Sequence, residues 1–289
     1  MRMGAAFCFI SMAALVKAAG ELPLGQMLFA RSFVIVPVIV AALAVRGDLG
    51  LLRTRKPGGH LVRSVLGCGA LGFWFMALGY LPLTDVTALL YLSPILNVVL
   101  AVVFLRESVG LWRAGAVVVG IVGVLIIMIP KVSGNYEAAA LIGVAFCLAN
   151  TLCFSFSVVQ IRQLSTTESP TAIVFYFSLF SSLIALVTLP FGWVSPVGHE
   201  WLLLFGIGAL GGIGQLLLTT CYKYAPVSLI APFEYSTLIW ATLIGVVFFN
   251  ERPGLSTLGG AALIIAAGIV VAHREHRLGR QRLAAEIQP

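Results

Sequence analysis

Charge is scarce in this chain of 289 residues: only 10% are Asp, Glu, Lys or Arg, against roughly a quarter in a soluble domain. So little charge cannot solvate a globular surface, and a hydrophobic content of 60% with mean hydropathy +1.04 puts the chain in a bilayer. Histidine is scarcer still, and His60, His199, His273 and His276 all fall in expected loops or the C-terminal tail. P-loop, H-E-x-x-H, G-x-S-x-G and kinase signatures are missing, which argues against an ATP-driven pump, a membrane protease or any other enzyme, and no cofactor is expected. Cys8, Cys68, Cys147, Cys153 and Cys221 lack C-x-x-C spacing, so they indicate neither a metal site nor a disulfide framework and read as small core residues.

What is present is a series of apolar runs long enough to cross a hydrocarbon core, which takes about 20 helical residues. None alternates in the manner of a barrel strand. Spans are expected near 3–19, 24–45, 62–81, 83–105 and 110–130, then 138–160, 170–190, 201–222, 226–249 and 254–272. With the N-terminus inside, fourteen of the eighteen Lys and Arg residues fall on the cytoplasmic side, so both termini are expected there, in the cytoplasmic (inner) membrane. The net charge of +7 then reflects topology and contact with anionic lipid, not nucleic-acid binding. Arg2 ahead of an apolar stretch also has the look of a signal peptide, but cleavage would leave an uneven count of spans.

An offset of 144 residues brings Tyr80, Pro82, Tyr91, Glu107, Gly110 and Gly115 onto Tyr224, Pro226, Tyr235, Glu251, Gly254 and Gly259. Apolar bias inflates Val and Ile matches but does not predict coincident Tyr, Pro and Glu at one offset. The chain is therefore read as a duplication: residues 1–135, residues 136–273, and a basic tail over 274–289. Five spans per unit is an odd number, so the second unit enters the membrane inverted. The expected fold class is an all-α integral membrane protein of ten transmembrane helices in two inverted five-helix repeats. Such repeats place a site at their interface and support alternating access.

The segments "YLSPILNVVLAVVFLRESVGLWRAGAVVVGIVGVLI" and "APFEYSTLIWATLIGVVFFNERPGLSTLGGAALIIAAGIVV" resemble the two EamA-type units of the drug/metabolite transporter superfamily, in which a helix runs into a terminal Glu and a Gly-rich helix follows. "FARSF" is similar to that family's Arg-bearing second helix. The resemblance covers nearly the whole chain and implies a carrier with a central cavity lined by helices of both halves. The second half looks most like bacterial carriers of S-adenosylmethionine or riboflavin, although Leu238 stands where the first copy has Pro94.

Several polar residues inside spans are candidates for a substrate or proton site. Glu234 lies about eight residues deep in an apolar run, where a carboxylate costs at least ~2.5 kcal/mol, so it either marks a pathway or makes a structural interhelix hydrogen bond. Its counterpart in the first repeat is Leu90. Arg31, roughly 10 Å into its span, either snorkels outward or faces a translocation cavity. Pro94 removes a helical hydrogen bond, and Tyr91, Ser93 and Asn97 beside that kink either present polar groups to a cavity or simply pack. Thr237 continues the face of Glu234, and Tyr91, Tyr235 and Trp240 offer rings for stacking, at most two of them on one face. Glu107 and Glu251 read as structural helix junctions that cap a following helix or pair with Arg113 or Arg252. "GIGALG" at 206–211 matches G-x-G-x-x-G, but inside an apolar run it reads as helix packing.

The expected function is secondary transport of a small organic metabolite, with aromatic or heteroaromatic compounds such as S-adenosylmethionine or riboflavin, and amino acids, as the candidates. Its expected partners are that substrate and the lipid bilayer, with homodimer formation left open. The alternative is a membrane assembly partner without flux of its own, for which duplication and interior charges have no use.

Overall fold

A computed structural model describes all residues except 21, 94–110, 133–136, 166, 225–235 and 288–289. The candidates Pro94, Asn97, Glu107, Glu234 and Tyr235 therefore lie outside the described residues. The helices are α1 (Arg2–Ala18), α2 (Leu24–Phe33), α3 (Ile35–Arg46), α4 (Pro57–Tyr80), α5 (Leu83–Leu90), α6 (Leu111–Val132), α7 (Glu137–Ser165), α8 (Pro170–Leu186), α9 (His199–Tyr224), α10 (Ser236–Phe249) and α11 (Leu255–Ile287). α2 and α3 form one span, Leu24–Arg46, giving ten helical segments and no strand among the described residues.

Proline and glycine set most boundaries. Pro37 lacks an N–H and its ring crowds the carbonyl of Phe33, which accounts for the interruption at Val34. Gly47, at φ 72°, closes α3 in the left-handed conformation that other residues avoid. Pro57 and Pro170 open α4 and α8 at positions where a missing N–H costs nothing, and the Ser169 hydroxyl accepts a bond from the Ala172 N–H at 3.1 Å.

One expectation needs correction, and one helix extends beyond its expected span. α4 begins at Pro57, five residues ahead of the expected span, so His60 is buried within the bundle instead of lying in a loop, and Arg63 is buried with it. At the other end α11 runs on to Ile287, because the basic segment after Ala272 holds Arg, Glu, Gln, Leu and Ala, all good helix formers, and no proline before its last residue.

The packing obeys the exchange of one repeat for the other. α4 lies against α7 as α9 lies against α1; α4 against α8 as α9 against α2; and α1 against α10 as α7 against α5. α2 with α8, α5 with α10, and α6 with α11 are pairs that the exchange maps onto themselves. A pseudo-two-fold axis relates the halves, as inverted repeats require.

Glycine permits the closest crossings. A Cβ on Gly260 would sit 2.5 Å from the carbonyl oxygen of Gly123, and one on Gly123 would sit 2.8 Å from that of Gly260. Gly260→Ala is therefore expected to lose about 1–3 kcal/mol by forcing α6 and α11 apart. Gly259→Ala, whose Cβ meets nothing within 4 Å, is expected to hold or gain stability. Thermal unfolding of the two variants side by side checks the contrast.

Candidate functional site

Between the repeats lies a cavity of about 190 Å³ lined by residues of α1, α2, α4 and α5 from the first half and α7, α8, α9 and α10 from the second. Arg31 reaches it from α2 and is 1% exposed, which decides between the two sequence alternatives: it points inward and does not snorkel. Its Nη2 donates to Gln215 Oε1 at 3.1 Å, and its guanidinium lies 5.0 Å from the centre of the Phe177 ring. The α9 segment "GIGALG" makes this geometry possible. A Cβ on Gly208 would meet the Ala30 carbonyl oxygen at 2.6 Å, and one on Gly211 would sit 3.0 Å from Arg31 Cγ, so glycine lets α2 and its arginine approach.

Arg63 is the residue that sequence reasoning missed. In α4 it is 5% exposed, lines the same cavity and lies 4.0 Å from the centre of the same Phe177 ring. Gly67, one turn later, leaves room for it, since a Cβ there would fall 2.0 Å from Arg63 Nη1. Arg63, Gly67, Ala70 and Trp74 form the α4 stripe on the cavity, with spacings of four, three and four that the sequence does display. No Asp or Glu lines the cavity among the described residues.

Tyr91, Ser93 and Thr237 also line it. The Tyr91 hydroxyl and Thr237 Oγ1 are 2.6 Å apart, and the Leu238 N–H donates to the Tyr91 hydroxyl at 2.9 Å. This ties the end of α5 to the start of α10, elements that the pseudo-symmetry pairs. Ser93 turns its hydroxyl back to the Leu90 carbonyl at 2.6 Å. Trp240 is not part of this group. One helical turn beyond Thr237 but rotated away from it, its ring meets Phe7 of α1 edge-on at 5.1 Å, beside a separate apolar groove.

Glu251 closes one end of the bundle. Its Oε1 pairs with Lys17 Nζ at the end of α1, and its Oε2 accepts the Leu83 N–H at 2.9 Å, capping α5. Lys17 also donates to the Leu81 carbonyl at 3.4 Å. The partner is thus Lys17, from the other repeat, not the neighbouring Arg252. Packing of α10 on α1 and α5 brings Glu251 there, and Gly245 leaves space for its carboxylate. Near the start of α4 a second cross-repeat contact holds the opposite end: Glu168 accepts from the Thr54 hydroxyl at 2.9 Å and the Arg55 N–H at 3.2 Å, with His60 Nε2 at 3.8 Å.

Both halves of the sequence match the EamA-like transporter family model, over residues 1–129 and 141–272. The chain belongs to the EamA-like transporter family. Among its relatives is the pseudopaline exporter CntI of Pseudomonas aeruginosa, 30% identical over 269 residues, which are 92% of this chain and 93% of that one. The riboflavin transporter of Vibrio cholerae is 32% identical over 251 residues, 85% and 82% of the two chains. An S-adenosylmethionine uptake transporter of Rickettsia bellii is 27% identical over 243 residues, 83% and 81%. A solved structure superposes with a TM-score of 0.67 at 23% identity, covering 96% of this chain and 97% of that one, so the fold is shared. This EamA-like protein is a multi-pass membrane transporter.

Proposed function

We propose that the chain is a secondary carrier of a small organic metabolite in the cytoplasmic (inner) membrane, working by alternating access with both termini cytoplasmic. The observation that carries this reading is a cavity at the interface of the two repeats whose wall includes the buried polar side chains of Arg31, Arg63, Asn150 and Gln215, with an ion pair across the repeats at one end. Alternating access needs a site on the pseudo-symmetry axis and contacts at each end that open in turn. Glu251 with Lys17, and Glu168 with Thr54 and Arg55, are the contacts that fit that role.

Compounds handled by the relatives, S-adenosylmethionine and riboflavin, together with amino acids, form the panel to test. The purified protein in proteoliposomes is expected to give saturable counterflow with at least one member. An absence of flux for the whole panel with correctly folded protein would favour the assembly-partner alternative.

Glu234 belongs to the same proposal on its sequence position, three residues ahead of the cavity-lining Thr237. If it carries a coupling proton, Glu234→Gln loses gradient-driven accumulation and keeps exchange; if it meets a cationic part of the substrate, binding weakens by about 1.5–3 kcal/mol. Normal transport by both Glu234→Gln and Glu234→Leu would remove it from the site.

A further inference from the structure

Two buried cations share one aromatic ring in this cavity, and neither has an acid partner among the described residues. Phe177 covers one face of each guanidinium, at 5.0 Å for Arg31 and 4.0 Å for Arg63. Stacking on a ring leaves the N–H groups in the guanidinium plane free to donate, and each arginine has five. Arg31 spends one on the neutral Gln215, while its Nε is buried without a partner. Arg63 Nε and Nη1 are likewise buried without a partner. Trp74 Nε1, on the α4 stripe of the same cavity, is a third buried donor without one. Like charges held together away from water repel, and burial without an acceptor costs stability, so the fold maintains this cluster against its own energetics. A ligand that brings acceptor oxygens and negative charge answers both costs at once, and planar oxyanions fit forked guanidinium donors.

We propose that the carried compound is anionic and that its carboxylate or phosphate group is held between Arg31 and Arg63, with Trp74 Nε1 as an added donor. This rests on the carrier reading of the cavity and names the class of its substrate. Gly67 has a part in it, because its missing Cβ is what lets the Arg63 head group lie on Phe177.

The full chain, purified in detergent, is titrated at constant ionic strength with acetate, succinate, glutamate and inorganic phosphate, with succinamide as the uncharged control. At least one anion is expected to bind, and Arg63→Gln and Gly67→Ala are each expected to weaken it tenfold or more. Gly67→Ala keeps both charges, so its loss reports geometry, and it stands as the test if Arg63→Gln fails to fold. Binding confined to the carboxylates identifies that source, and binding of phosphate alone identifies the other. Failure of every anion to bind, succinamide binding as tightly as succinate, or affinities unchanged in both variants overturns the proposal. Counterflow run in parallel separates the two readings: flux of a neutral or cationic solute untouched by Arg63→Gln overturns the anion site and leaves the carrier, whereas arginine-dependent anion binding without any flux leaves the site and removes the carrier.

Discussion

Arg31→Met is expected to leave the protein as stable as the parent or more so, while transport falls by roughly tenfold to a hundredfold. Arg31 is 1% exposed and has only the neutral Gln215 as a hydrogen-bond partner among the described residues. Replacing a buried charge of that kind by an apolar side chain of similar length removes a desolvation cost and retains packing against Phe177. A charge-assisted hydrogen bond to substrate is worth about 1.5–3 kcal/mol, which sets the size of the functional loss. An arginine kept for the fold gives the opposite pattern, a lower melting temperature with little change in flux per folded molecule. Measuring both quantities on the same preparation distinguishes them.

Glu251→Gln is expected to act on the other side of the ledger, destabilising the closed end by about 2–4 kcal/mol. The Lys17 and Glu251 side chains are only 23% and 10% exposed, and removing one member leaves Lys17 partly buried without its counter-charge and the Leu83 N–H with a weaker acceptor. Lys17→Met should cost a similar amount, and the double variant less than the sum, because the unpaired charge disappears. Additive losses would show that the two side chains do not act as a pair. In transport terms the loosened end shifts the balance toward the state in which it is open, so reagents supplied from that side should label a cysteine at position 74 faster in Glu251→Gln than in the parent.

The ten-span plan was legible because span length, proline and the offset of 144 residues are all properties of the linear sequence. Arg31 was legible as a candidate because a cation inside an apolar run has few outlets. Arg63 was not, since it follows Arg53, Arg55 and Lys56 closely and stands at the very start of the expected span at 62, where a cation fits the cytoplasmic boundary. The Pro57 start and the stripe through Gly67, Ala70 and Trp74 are the signals that would have moved it inside. Lys17 and Glu251 are 234 positions apart, and their pairing is decided by how α1, α5 and α10 pack, which no local pattern encodes. Trp240 shows the same limit. Helix phase says which residues share a face but not which face meets the cavity, and Phe7 of another helix settles the matter.

The central claim is that the end closed by Lys17 and Glu251 must open for the cavity to exchange its contents. Ala18→Cys and Arg252→Cys, placed next to that pair in a chain whose five native cysteines are replaced, leave the ion pair itself intact. In proteoliposomes, bridging them with a short bismaleimide is predicted to stop counterflow, while either single-cysteine chain treated in the same way continues to transport. Unchanged counterflow in fully bridged protein would contradict the account, because substrate would then be passing without movement at that end.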